Sequence, residues 1–155
     1  MIDTSAIPVA ALLRHGPEMT LIDRLVSYDP NKSVATVEIG PASVFYDGNG
    51  VPGWVGIEYM AQTVAAHVGF EARQRGEPPA IGFLLGTRAY DARASRFPTG
   101  SKLTIVVEPL WFDAGVGAFR CSIVVRDEVV ATAVVSTYQP APRELEPLRS
   151  KAGAS

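Results

Sequence analysis

The sequence predicts an α+β protein in which one antiparallel sheet wraps round a single apolar helix. Three observations lead there. Residues Val51 to Phe70 are apolar on nearly every face, with Trp54, Val55, Ile57, Met60, Ala61, Val64, Ala65, Ala66, Val68 and Phe70. A helix apolar all round is a buried one. After Pro78-Pro79 the chain alternates apolar and polar residues in segments joined by very short turns, the mark of neighbouring antiparallel strands. Finally, 155 residues without an internal repeat or linker make one domain, expected over residues 1–139, with a proline-bearing tail over 140–155.

The elements follow in order. Ile7 to Leu13 forms a short helix or turn from Pro8, and Arg14-His15-Gly16-Pro17 breaks it. Met19 to Tyr28 reads as a strand and Asp29-Pro30-Asn31 as a turn. Val34 to Ile39 alternates, placing Ala35, Val37 and Ile39 on one face. Asp47-Gly48-Asn49-Gly50 is a flexible approach to the helix, which starts at Pro52 and stops at Gly76. Ile81 to Tyr90 is expected as a strand that can bend at Gly82 and Gly86, and Asp91 to Pro98 as a polar excursion. Lys102–Phe112, Val116–Arg126 and Val129–Tyr138 complete a meander, turning at Asp113-Ala114-Gly115 and Asp127-Glu128. The sheet is expected to have about six strands.

Composition removes several functions. A formal charge of −2 gives no basic footprint for nucleic acid. The lone Cys121 cannot form an internal disulfide, and its place in an alternating segment suits the core. No charged-then-apolar leader opens the chain and Glu58 interrupts its most apolar stretch, so neither secretion nor membrane spanning is expected, and the cytoplasm follows. No ligand cluster suggests a metal, and no cofactor is expected.

Chemistry concentrates on the helix. Glu58 stands in its apolar surface, with Gln62 one turn later on the same side. A carboxylate placed there is neutralised, hydrogen-bonded or used. The helix start, at the positive end of the macrodipole, can polarise a carbonyl and stabilise its enolate.

Val51-Pro52-Gly53 followed by Ile57-Glu58-Tyr59-Met60-Ala61-Gln62 resembles the central-helix motif of the hotdog-fold 3-hydroxyacyl-ACP dehydratases. The segment Leu13 to Arg24, with Arg14-His15-Gly16-Pro17 and Leu21-Ile22-Asp23-Arg24, is similar to that family's entry into its first strand. Phe97-Pro98-Thr99-Gly100 resembles its proline–glycine turn, so the resemblance covers residues 12 to 139. The wording is closest to the branch associated with aryl polyene biosynthesis. The resemblance implies a hotdog dimer whose two sheets join edge to edge, and dehydration of a 3-hydroxyacyl chain on acyl carrier protein. It implies Glu58 as the catalytic acid and substrate contacts from Pro17, Phe45, Pro52, Gly53, Trp54 and Gln62. Arg88, Arg93 and Arg96 are expected to meet the acidic carrier.

One feature of the family pattern is missing. Its catalytic histidine, within a Gly-His-Phe run, falls fourteen residues before the glutamate, and Val44 stands there, before Phe45. His67 lies nine residues beyond Glu58, on the opposite side of a helix turning about 100° per residue. His15 is therefore the imidazole expected to work with Glu58 across a dimer interface. Two alternatives stay open: a thioesterase, in which Glu58 directs water and no histidine is needed, and a subunit that pairs with a second, catalytically complete hotdog protein. Homodimer and heterodimer are both compatible with the sequence.

Overall fold

A computed structural model of the chain describes residues 1–13, 19–78 and 83–138. In order along the chain come β1 (Ile2–Asp3), β2 (Arg24–Asp29), β3 (Lys32–Glu38), β4 (Gly50–Pro52), the helix α1 (Gly56–Gln74), β5 (Phe83–Ala92), β6 (Arg96–Pro98), β7 (Lys102–Asp113), β8 (Val116–Val125) and β9 (Glu128–Tyr138). Seven strands form one antiparallel sheet in the order β1-β2-β3-β7-β8-β9-β5, and β4 pairs with β6 in a separate ribbon. The count exceeds the expected six because the short β1 adds to the edge, with Ile2 opposite Tyr28. The helix α1 packs across β2, β3, β5, β7, β8 and β9. No described helix is long and apolar enough to cross a membrane.

The core is what period-two burial produces. Ala35 and Val37 of β3 face inward with Leu103, Ile105 and Val107 of β7, Phe119, Cys121 and Ile123 of β8, and Ala131, Ala133 and Val135 of β9. Against them α1 lays Tyr59, Met60, Val64, Ala66 and Phe70. Fully burying each larger side chain is worth about 1.5–3 kcal/mol, so this contact outweighs any propensity term in the helix.

Several boundaries depart from the sequence expectation. The strand expected from Met19 begins only at Arg24. Before it, the Gln62 amide replaces a neighbouring strand: Nε2 donates to Met19 O at 2.6 Å and Oε1 accepts from Leu21 N at 2.8 Å. Pro52 closes β4 and caps a 3-10 turn, Gly53–Val55, so the α-helix proper starts at Gly56. The supposed excursion before Pro98 holds the end of β5 and the strand β6.

The ends and turns obey local chemistry. Gly76, at φ +73°, ends α1: its N–H bonds Arg73 O while that of Glu77 bonds Ala72 O, the paired closure that satisfies the last carbonyls. Ala114 and Gly115 both have positive φ, as the two central residues of a tight hairpin do. The next turn is centred on Arg126-Asp127, also both positive, one residue earlier than expected, and Glu128 opens β9. At Gly69 the N-terminal segment crosses the helix so closely that a Cβ would lie 1.9 Å from Leu12 O.

Candidate active site

The start of α1 gathers three of the expected residues. Phe45 and Trp54 meet edge to face, ring centres 5.2 Å apart, and remain 44% and 56% exposed. Glu58 lies in the first turn of α1 and is exposed as well. Its burial was expected from the apolar helix, and in the single chain it does not occur. One sheet covers only part of a helix's circumference, and the uncovered side carries Trp54, Ile57, Glu58, Ala61, Ala65 and Val68. All six fall within about a third of the helical turn.

Backbone at the helix start is already committed. Gly53 N donates to Ser95 O at 2.8 Å and Gly53 O accepts from Tyr90 Oη at 2.5 Å. A Cβ on Gly53 would lie 2.5 Å from Ala94 O, so the missing side chain admits the chain's own β5–β6 connection. Pro52 pairs opposite Arg96. Gln62, 5% exposed, spends both ends of its amide on the backbone of Met19 and Leu21. His15 and Pro17 lie outside the described residues.

A second feature, on the other side of the 43–45 loop, escaped the sequence reading. A cleft of about 360 Å³ is lined by Leu21, Asp23, Val37, Ile39, Ser43, Val44 and Tyr59, among others. Val44, where an imidazole was expected, faces this cleft, whereas Phe45 packs on Trp54. The left-handed φ of +69° at Phe45 accompanies that divergence, at a cost of about 1–2 kcal/mol for a side-chain-bearing residue. Tyr59 is only 1% exposed, and burial, then the charge of Asp23, pushes its hydroxyl up to about 12. It stays a protonated donor in the wall of the cleft. Its signal in the sequence was a hydroxyl next to Glu58 on an otherwise apolar helix.

The remaining candidates are structural. His67 is 2% exposed, takes part in a 2.7 Å hydrogen bond from Nδ1 to Ser33 Oγ, and lies 3.8 Å from Glu71 through Nε2. Tyr28 completes the cluster by donating to Glu71 Oε2 at 2.7 Å. Burial holds the imidazole below its ordinary value of 6.5, against the opposing pull of Glu71 and Asp29. The folded chain thus resists a proton that the unfolded chain accepts. This contribution to stability is intact above about pH 6.5 and is lost as pH falls below it. Urea unfolding at stepped pH should show the decline, and His67→Gln should flatten that part of the profile. Burial likewise pushes the Cys121 thiol up to about 12, which suits the core and not a nucleophile. Arg96 pairs with Asp47 and Arg93 with Glu128, while Arg88 is exposed on β5.

An antiparallel sheet wrapped round one long helix is the hotdog fold. The profile of the ApeP-like dehydratase family matches residues 7–148, and the chain belongs to that family. It is similar to a chain of the dehydratase heterocomplex ApeI:P from Xenorhabdus doucetiae, at 32% identity over 92% of this chain and 97% of that one, with a TM-score of 0.82. A hypothetical thioesterase with coenzyme A from Streptococcus pneumoniae shares the fold at 15% identity, covering 76% and 84% of the two chains, TM-score 0.59. The PaaI protein of E. coli does so at 15% identity, 77% and 80% coverage, TM-score 0.59. No curated protein matches the chain.

Proposed function

We propose that this chain takes part in dehydrating 3-hydroxyacyl thioesters, carried on acyl carrier protein, to trans-2-enoyl thioesters for fatty acid or aryl polyene-type biosynthesis in the cytoplasm. It does so as one subunit of a paired hotdog dehydratase. The observation that carries this reading is Glu58, a carboxylate at the first turn of α1 on an apolar face that the chain's own sheet leaves open. A second subunit laid on that face would dry the site and strengthen every polar contact in it.

The reaction needs three things. A base removes the C2 proton of the substrate. The helix start polarises the thioester carbonyl, and with Gly53 N taken by Ser95 O, the next N–H groups are those of Trp54 and Val55. Glu58 holds the C3 hydroxyl, which leaves as water with the proton the base collected, and a C2=C3 double bond remains. The base is an imidazole. His67 is excluded by its burial against Ser33, so it comes from His15 or from the second chain. Similarity to a chain of a dehydratase heterocomplex favours the second chain.

Product analysis tests the proposal. The pure chain, and the chain co-purified with a second hotdog protein, are each given a 3-hydroxyacyl carrier-protein thioester. Enoyl thioester is expected from the pair, and His15→Ala should leave that rate intact. Full activity from the chain alone, abolished by His15→Ala, would return the imidazole to His15 in a homodimer. Free thiol without enoyl product would make the protein a thioesterase.

A further inference from the structure

We infer that Tyr90 is a positioning residue for the start of α1: by donating from Oη to Gly53 O, it aims and polarises the Trp54 N–H that meets a thioester carbonyl. The inference rests on the carbonyl-polarising role given to the helix start above, and it names the side chain that sets that geometry.

Gly53 O and the Trp54 N–H belong to one peptide unit, which is planar and trans, so the two point in opposite directions. Gly53 O accepts from Tyr90 Oη at 2.5 Å and also from Gly56 N. Holding that oxygen towards β5 therefore holds the Trp54 N–H away from it. A hydrogen bond to the oxygen also makes the N–H of the same amide a stronger donor. With Gly53 N bonded to Ser95 O, β5 and the connection after it grip Gly53 by both its polar atoms. The chain gives up regularity to bring this hydroxyl in. Ala89 and Tyr90 together stand opposite the one residue Ala133, between the pairs Arg88–Val134 and Asp91–Thr132. Strict alternation from the exposed Arg88 would turn Tyr90 outward. The bulge turns it inward, with Ala89 at a left-handed φ of +54° that an alanine adopts only under strain. On the helix side Gly56 leaves the space, since a Cβ there would collide with Tyr90 Oη. Burial raises the hydroxyl above its ordinary value of 10, so it stays a donor. A bulge, a strained alanine and a glycine in the helix's first turn converge on one hydrogen bond, which a phenylalanine of the same shape could not make.

The test uses the full chain with its co-purified partner and the variant Tyr90→Phe, which keeps the ring packed on the core. The first readout is the infrared carbonyl stretch of bound, isotope-labelled hexanoyl N-acetylcysteamine thioester, a probe with no 3-hydroxyl to lose. The stretch should lie at lower frequency on the native protein than on Tyr90→Phe, because a polarised carbonyl is a weaker double bond. The second readout is turnover of the 3-hydroxyhexanoyl thioester. Tyr90→Phe should lower kcat about tenfold and leave KM nearly unaltered, the scale of one net hydrogen bond used in the transition state. A stretch that is the same on both proteins, or a loss confined to KM, would overturn the inference. Its fate separates from that of the dehydratase reading. A Tyr90-dependent stretch without enoyl product sustains the positioning role and rejects the reaction. Enoyl product at the native kcat in Tyr90→Phe does the reverse.

Discussion

Glu58→Gln should lower the dehydration rate of the assembled protein by about 100-fold or more, the scale on which a positioned acid or base contributes. The change keeps the side chain's shape and removes only its charge and its ability to accept at both oxygens. Because Glu58 is exposed in the single chain, with none of the core resting on it, the melting temperature of the isolated subunit should stay within error of the native one. The loss should appear in kcat/KM for the 3-hydroxyacyl thioester, and co-purification with the second chain should be unaffected. Full activity in Glu58→Gln would refute the assignment and leave the chain a tunnel-shaping subunit. A rate loss accompanied by dissociation would mean that Glu58 serves the interface and not the chemistry.

The meander from Lys102 to Tyr138 was legible because alternation and two-residue turns are local signals, each decided within a dozen residues. The boundary at Arg24 was not, because what stops β2 is the side chain of Gln62, 41 residues from the Leu21 amide that it binds. The same distance problem hid the β4–β6 ribbon, whose strands of three residues are too short to alternate visibly. At the site, Glu58 announced itself as a charge in an apolar helix. Its environment could not be read, since helical periodicity says which residues share a face but not how much of the circumference one sheet covers. Gly53 misled in a simple way. A glycine marks close approach, and here what approaches is the chain's own Ala94 and Ser95. The cleft at Tyr59 depends on three segments meeting, and no single one of them carries its signature.

The open face of α1 leads to the other large effect. Ile57, Ala61, Ala65 and Val68 run along it below Trp54 and Phe45, half-buried or exposed, and β5 lies at the sheet edge with β9 as its one partner among the described residues. An unpaired strand edge beside an uncovered apolar helix face fits a second hotdog chain joined edge to edge, the two alanines allowing another helix close approach. Ala65→Arg should then weaken association at least about 100-fold, because an uncompensated charge buried in an interface costs about 3 kcal/mol or more. The subunit itself should fold, since Ala65 is half-buried at the border of the core, where a long side chain can extend outward, and arginine is a good helix former. Light scattering of the chain alone and co-purification with the second hotdog chain together decide the matter. Loss of the mixed complex with no change in self-association identifies a heterodimer, and loss of a self-complex identifies a homodimer. If Ala65→Arg associates as tightly as the native chain, the helix face is not the interface, and pairing must rest on the β5 edge alone.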